Sequence, residues 1–376
     1  MYSPNAGPLT LMKLGIIGLP QSGKTTLFNA LTRGDRPVGP RGVTGGGRFE
    51  VHTAVVAVPD PRVDTLSAMF KPRKTIYAQV TYADIAGLEA EAGKSGFSGP
   101  LLNQLAAMDG FLNVVRVFEN PAVPHPAGSV NPARDLGTLD GELLLNDMLA
   151  VERKLERLTE EAKKGIVKDK VLHAQEAALF AKLQEALAAN KPLRDVELSP
   201  VEEKLLSSYQ LLTRKPMLVV FNTGDEGVET AKLPAYSHAR SAVVALQGKL
   251  EMEIAQLPPD EAAEFLREYG IAEPSLNRMI KLSYDLLGLE SFFTVGEDEV
   301  RAWTVRRGAT APEAAGEVHT DLQKGFIRAE VVSYSELVQL GGYAEVKAKG
   351  KLRLEGKEYV VQDGDILNIR FSPPGK

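Results

Sequence analysis

A lysine and a threonine placed side by side behind a glycine-rich turn can hold phosphate and a divalent cation together. The chain has that pair in Gly18-Leu19-Pro20-Gln21-Ser22-Gly23-Lys24-Thr25, which fits the P-loop pattern G-x-x-x-x-G-K-[ST]. The glycines let the backbone curl until successive N–H groups aim at phosphate oxygens. Lys24 reaches the β- and γ-phosphates, and the Thr25 hydroxyl takes a magnesium ion. The expected nucleotide-binding stretch is Leu19, Pro20, Gln21, Ser22, Gly23, Lys24, Thr25 and Thr26, with Lys24 also catalytic. A structural glycine turn can match the bare pattern, but the flanking residues favour the phosphate reading. Lys13-Leu14-Gly15-Ile16-Ile17 reads as a short buried strand. Thr26-Leu27-Phe28-Asn29-Ala30-Leu31 reads as a helix whose N-terminus faces the phosphates.

Magnesium at such a loop needs a second carboxylate, and Asp84 is the candidate. It opens Asp84-Ile85-Ala86-Gly87, a D-x-x-G in which the Asp orders the Mg²⁺ shell and the Gly87 N–H contacts the γ-phosphate. Metal binding is therefore expected from Thr25 and Asp84, and a catalytic contact from Gly87. Loss of the γ-phosphate would release this loop, which is how a nucleotide switch works. In isolation, a strand-ending Asp before a glycine turn would look the same. Leu88 follows Gly87, where Ras-type enzymes place a water-positioning Gln. An apolar side chain cannot orient water by hydrogen bonding. Hydrolysis then uses another group, the substrate phosphate or a partner, and is slow unaided. The polar loop Lys94-Ser95-Gly96 has the composition to fold over the phosphates. The base site is expected after a later strand, at Phe221-Asn222-Thr223-Gly224-Asp225. The guanine-reading motif is N-K-x-D. Asn222 and Asp225 match it, and Thr223 replaces the lysine. Asn222, Gly224 and Asp225 are candidate base contacts, although Asn222 is also an ordinary residue for a loop after a strand.

Alternating strands and helices must position these groups. Candidate strands are Leu14–Ile17, Ala54–Val58, Ile76–Tyr82 and Gly110–Val117, the last nearly continuous in apolar residues. Helical spacing recurs at Thr25–Leu31 and Pro100–Met108. This pattern predicts a doubly wound α/β sheet. Segment 34–47, rich in Gly, Pro and Arg, reads as a loop. Four prolines within Pro121–Pro132 mark a break. From Leu139 to about Asn190 the chain is rich in Glu, Lys, Arg and Leu with helical spacing, interrupted at Gly165. It reads as a helical hairpin, either packed on itself or projecting as an arm toward a partner. Pro216–Asn222 returns to a buried strand and Ser241–Leu246 gives another, so the hairpin is an insertion. From about Ser291 the chain turns β-rich. Arg301–Val305 and Tyr359–Val361 are strand-like, and Asp363-Gly364-Asp365 forms a turn before Ile366–Phe371. The expected domains are a P-loop domain over 11–290, with a helical-arm insertion at 139–212, and a small α+β domain over 291–376.

Composition narrows the partners. The net charge is −5, so nucleic acid would have to meet a local basic patch. The chain has no cysteine, which excludes disulfides, thiolate metal sites and cysteine nucleophiles and fits a reducing cytoplasm. The N-terminal residues lack the basic and apolar regions of a signal peptide. No apolar run approaches the ~20 residues a membrane span needs.

Taken together, these residues resemble the YchF family of Obg-like ATPases. The resemblance is carried by Gly18–Thr32, by Val58-Pro59-Asp60-Pro61-Arg62 and by Asp84-Ile85-Ala86-Gly87-Leu88. It is carried further by Gly308-Ala309-Thr310-Ala311-Pro312-Glu313, by His319-Thr320-Asp321, by Lys324–Glu330 and by Glu355–Asp365, text similar to the family's terminal TGS domain. It covers nearly the whole chain. It implies a cytosolic ATPase of the translation-factor class, with a Ras-like domain, a helical arm and a β-grasp-like TGS domain. It implies binding to the ribosome, as the large subunit or the whole particle, with RNA contacts through the TGS domain and the arm. The basic residues Arg306, Arg307, Lys324 and Arg328 are either part of such a contact or simply solvated.

The chain also departs from the family pattern. The family usually has Asn at the Gln21 position, where it serves a potassium site, and Val at Ser22. Potassium use is therefore open. The switch threonine is poorly matched: Arg48 aligns near it, with Thr44 and Thr53 displaced to either side. The base motif usually ends in Glu, so Asp225 stands nearer to a GTPase. The loop that contacts the base aligns with Gln247-Gly248, both counted as nucleotide-binding candidates. The leading expectation is a slow Mg²⁺-dependent ATPase acting as a switch at the ribosome, in a divergent paralogue. The alternatives are a nucleotide-gated ribosome- or RNA-binding module with negligible hydrolysis, and a GTPase.

Overall fold

A computed structural model describes residues 12–34, 51–85, 97–224, 232–269 and 271–372. The strands are β1 Lys13–Ile17, β2 Val51–Ala57, β3 Lys74–Ile76, β4 Gln79–Ile85, β5 Gly110–Arg116, β6 Met217–Asn222, β7 Ser241–Leu246, β8 Leu289–Val295, β9 Glu299–Arg306, β10 Phe326–Ser333, β11 Arg353–Glu355 and β12 Asp365–Phe371. The helices used below are α1 Lys24–Thr32, α2 Pro61–Phe70, α3 Gly99–Ala106, α4 Pro132–Lys163, α5 Lys170–Ala188, α6 Pro200–Leu206 and α7 Gly248–Gln256. Two compact units emerge. One takes the described residues of Lys13–Ala54 and Tyr82–Met279, the other those of Val55–Thr81 and Ile280–Lys376. These limits differ from the expected 11–290 and 291–376, because 55–81 groups with the C-terminal residues. Among the described residues no helix is long and apolar enough to cross a membrane.

The first unit is built on a sheet of order β2-β4-β1-β5-β6-β7. Strands β1, β5, β6 and β7 run parallel, with Ile17 opposite Asn113, Asn113 opposite Val219, and Val219 opposite Val243. Strands β5 and β6 are buried at every position, as a parallel sheet covered on both faces requires. The expected α/β class is what folds. One core gathers Ile17, Phe111, Val115, Val219 and Phe221 with Leu101 and Leu105 of α3. The order β4-β1-β5 puts a strand on each side of β1. Ligands of such sheets bind beyond the carboxyl ends of the strands at this kind of crossing.

The hairpin forms, with a longer first helix than its spacing suggested. Helix α4 begins at Pro132, capped by the Asn131 side chain accepting from Arg134 N at 3.0 Å. Val151, Leu179, Phe180, Leu183 and Leu187 make a core between α4 and α5, joined by Leu206 of α6. Lys154, buried at 7% exposure, pairs with Glu176 at 2.9 Å. Return to β6 is fixed by Asp147 of α4. Its carboxylate accepts from the backbone N–H groups of Leu212 and Thr213, each at 2.7 Å, and from the Thr213 hydroxyl at 2.6 Å. Burial pushes the Asp147 carboxyl up to about 6. Just before β6, Lys215 Nζ donates to the carbonyls of Leu105, Ala106 and Met108 at the end of α3. Burial lowers this lysine to about 8.

The second unit carries a sheet of order β11-β10-β12-β8-β9-β3. Antiparallel pairs β8/β9, β10/β11 and β10/β12 combine with parallel pairs β12/β8 and β3/β9. Helix Ala311–Val318 packs Ala311, Ala314 and Ala315 against Phe292, Val331 and Leu367. Two local expectations are corrected. Segment Ile76–Tyr82 is not one strand: β3 ends at Ile76 and joins β9, and β4 starts at Gln79. Between them the Ala78 carbonyl accepts from Val58 N at 2.8 Å. Residues 359–361 form no strand. Only an isolated bridge joins Thr310 and Val360, because Asp365 holds the Tyr359 hydroxyl and the Gln362 N–H in a turn.

Candidate nucleotide site

The P-loop leaves β1 and enters α1 through two glycines that no other residue could replace. Gly18 has φ 149° and a Cβ there would lie 2.4 Å from the Val114 carbonyl oxygen. Gly23 has φ 100° and a Cβ there would lie 2.1 Å from Asn222 Nδ2. Gly23 is also the N-cap of α1. It offers no side chain to the first turn, and that turn holds no acidic residue. The orphan N–H groups of the helix start are thus left for an anion, with the positive end of the dipole behind them.

Lys24 is buried, at 7% exposure, and its ammonium donates to the Gly18 carbonyl at 3.1 Å and the Leu19 carbonyl at 2.9 Å. It is thereby folded back over the loop. Thr25 and Thr26 open the helix half-buried. Gln21 sits in the left-handed region at φ 61°, and its buried Oε1 accepts no hydrogen bond from the described residues. Asp84 is buried near the carboxyl end of β4, the strand beside β1.

Asn222, expected as a base contact, has protein partners for its side-chain amide. It ends β6, and its Nδ2 donates to the Ser22 carbonyl at 2.9 Å, while its Oδ1 accepts from Gly248 N at 3.0 Å. Both ends of the amide are committed to protein. Asn222 braces the P-loop against the loop that follows β7. Gly248 must be glycine for this, since a Cβ would come 2.6 Å from Asn222 Oδ1. Gln247 Nε2 donates to the Gly224 carbonyl at 3.2 Å, so Gln247, Gly248 and Gly224 are gathered around Asn222. Thr223 turns inward, its N–H and hydroxyl both donating to the Leu246 carbonyl.

Gly87, Leu88, Lys94-Ser95-Gly96, Asp225, Thr44 and Arg48 lie outside the described residues. Thr53 is exposed on β2. In the second unit Arg306, Arg307, Lys324 and Arg328 are all exposed but stand on separate elements. Arg306 ends β9, Lys324 ends helix Thr320–Lys324, and Arg328 lies on β10; Arg307 comes within 3.8 Å of Glu290.

Several polar residues of the first unit were not anticipated. Asn113 and Arg116 on β5 and Asp135 on α4 are buried behind the P-loop. The signal was an amide and a guanidinium inside the apolar run Gly110–Val117. A further cluster marks the second unit. Arg62 donates to Asp60 at 2.8 Å and to Asp363 at 2.7 Å and lies over the Phe293 ring. Burial works to lower Arg62, and its bonds to the two carboxylates outweigh that and raise it. The Val58–Arg62 segment and the Asp363 turn therefore meet in one structural knot.

Known proteins resemble the chain along its whole length. The family model YchF-GTPase_C, described as a protein of unknown function, matches residues 289–372. The Ribosome-binding ATPase YchF of Pasteurella multocida is 41% identical over 372 residues, which is 96% of this chain and 99% of that one. Obg-like ATPase 1 of Oryza sativa subsp. japonica is 37% identical over 374 residues, covering 97% and 93%. A solved structure of the Schizosaccharomyces pombe YchF GTPase superposes with a TM-score of 0.83 at 31% identity, covering 98% of this chain and all of that one.

Proposed function

The chain belongs to the YchF family of Obg-like ATPases, and from that premise we propose that it hydrolyses ATP slowly with magnesium and acts as a nucleotide-dependent switch at the ribosome. The observation that carries the reading is the start of α1: uncapped, free of acidic residues, and entered through Gly23 with Lys24 beside it. Gly18 and Gly23 hold the loop in a backbone that an added Cβ would forbid, against the Val114 carbonyl at one and Asn222 Nδ2 at the other, and a loop so curled can turn its N–H groups to a phosphate chain. The Thr25 hydroxyl and Asp84 fit magnesium, a hard cation that takes few protein oxygens and fills its shell with phosphates and water. Bound there, magnesium neutralises charge between the phosphates.

The protein's own work is positional. Gly18 and Gly23 shape the loop, Asn222 holds it, and the α1 N–H groups orient the phosphates. Lys24 swings from the Gly18 and Leu19 carbonyls to the transferring phosphate, where its charge counts most in the transition state. Gly87 adds an N–H to the γ-phosphate, and its loop relaxes when that phosphate leaves. Leu88 supplies no hydrogen bond to water, which keeps unaided turnover slow and gives a partner something to add. The relatives named above as ribosome-binding support the ribosome as that partner. Potassium use turns on Gln21, whose buried Oε1 is an acceptor without a donor among the described residues.

ATP is preferred over GTP. Thr223 stands where the guanine motif has its lysine, and the relatives named as ATPases support the choice. A GTPase remains the second reading, supported by Asp225 and by the likeness to the fission yeast protein, which is named a GTPase. Calorimetric titration of ATP and GTP, alone and in competition, tests the choice. Tighter ATP is the expected result; tighter GTP would transfer the reading to a GTPase.

A further inference from the structure

Behind the P-loop, residues of four segments line one small cavity. Ser22 comes from the loop, Asn113 and Arg116 from β5, His125 from the connection that follows, and Asp135 from the first turn of α4. Its volume is about 10 Å³, the room one water molecule needs. Ser22 is 2% exposed, Asn113 and Arg116 1% each, and Asp135 5%. Ser22 Oγ, Asn113 Nδ2 and Arg116 Nη1 have no partner among the described residues. The other nitrogens of Arg116 are engaged, Nε with the Phe118 carbonyl and Nη2 with that of Val123. Asp135 Oδ1 takes Arg134, and Oδ2 stands 2.9 Å from His125 Nε2 without the alignment of a hydrogen bond. Native interiors rarely leave such atoms unsatisfied, and here the residues that carry them line one small cavity.

We propose that this cavity holds a resident water through which Asn113, Arg116 and Asp135 act as positioning residues for the P-loop. The donor and acceptor count closes on one molecule. Water accepts from Asn113 Nδ2 and Arg116 Nη1 and donates to Ser22 Oγ and Asp135 Oδ2, four bonds in a site that needs two to four. Ser22 is then fixed from two sides, its carbonyl by Asn222 and its hydroxyl by the water. Because Asp135 belongs to the first turn of α4, the water also links the loop to the helix that runs into the arm. The effect on nucleotide rests on the phosphate-binding reading of the loop; the water site itself does not.

Two measurements on the full-length protein test this. A crystal structure at about 1.5 Å resolution is expected to show a peak within hydrogen-bonding distance of Ser22 Oγ, Asn113 Nδ2 and Arg116 Nη1. A dry cavity overturns the proposal whatever the nucleotide does. ATP affinity is then measured for Ser22→Ala, Asn113→Ala and the double variant, with Asn113→Ser in place of Asn113→Ala if the latter does not fold. Each single change is expected to weaken binding roughly fivefold, as loss of one hydrogen bond does. The double variant is expected to be little worse than either, because both act through the same water. Additive losses, roughly 25-fold together, or no loss in either single, would overturn the positioning role. Failure of the wild type to bind any nucleotide would sink the P-loop reading and the positioning role while leaving the crystallographic result to judge the water.

Discussion

Asn222 Nδ2 donates to the Ser22 carbonyl across 2.9 Å, joining the end of β6 to the back of the P-loop. With its Oδ1 on Gly248 N, the same amide clamps two loops that the chain keeps far apart in sequence. Asn222→Ala removes both bonds. At about 1 kcal/mol each, ATP affinity is expected to fall roughly 10- to 30-fold. Calorimetry checks this, with circular dichroism to show that the fold is kept. Unchanged affinity would mean that the clamp does not shape the loop.

Gly23→Ala should be worse. The new Cβ would meet Asn222 Nδ2 at 2.1 Å in a backbone conformation, φ 100°, that L-residues avoid. Strain of about 1–3 kcal/mol adds to loss of the clamp, so nucleotide affinity is expected to drop by more than about 100-fold. Gly165 is the control. It has φ 66° at the hairpin turn, with nothing within 4 Å of its added Cβ. Gly165→Ala is expected to cost about 1 kcal/mol of stability and to leave ATP affinity as it is.

Asp147 predicts a pH dependence. Burial raises its folded pKa to about 6 from an ordinary 3.8. Between those values the folded chain holds a proton that the unfolded chain has released, so stability from this group falls as pH rises from about 4 to about 6. Asp147→Asn abolishes the titration. It also turns an NH₂ toward the Leu212 and Thr213 N–H donors, which costs about 1–3 kcal/mol at neutral pH. The stability gap between wild type and variant is therefore expected to widen by roughly 2–3 kcal/mol on going from pH 7 to pH 4. Urea midpoints at the two pH values measure it. A constant gap would place the folded pKa near its ordinary value.

Arg62 makes a prediction for the second unit. Its fork joins Asp60, which caps α2, to Asp363, which also accepts from Ser291 N at 3.0 Å. Lysine carries the charge but not the fork. Asp363 is half exposed, which screens its share, so Arg62→Lys is expected to cost about 1–2 kcal/mol. Hydrogen exchange at the Ser291 amide reads it out: faster exchange is expected, and unchanged protection would make the knot incidental.

Much of this was legible in local patterns. The apolar runs that became β1, β5 and β6 are too short for helices and bounded by turn residues, so a buried parallel sheet followed. The glycines of the P-loop announced their own backbone. What remained hidden was long-range. Nothing near Asn222 shows that its amide will reach Ser22. Asn113 and Arg116 were visible as polar intruders in an apolar strand, but their meeting with Asp135 depends on how the proline-bearing 117–131 connection folds back. Tyr359–Val361 looked like a strand because its residues favour one; the pull of Asp365 on Tyr359 and Gln362 decided otherwise. Residues 76–82 read as one strand because periodicity does not record which sheet a strand joins.

On this proposal Lys24 and its loop hydrolyse ATP slowly and the ribosome accelerates the step. Single-turnover ATP hydrolysis, with and without ribosomes, for wild type and Lys24→Ala tests it most directly. The account predicts slow wild-type turnover, clear stimulation by ribosomes, and a loss of at least about 100-fold in Lys24→Ala under both conditions. Full turnover by Lys24→Ala, or a wild type that ribosomes do not stimulate, would contradict it.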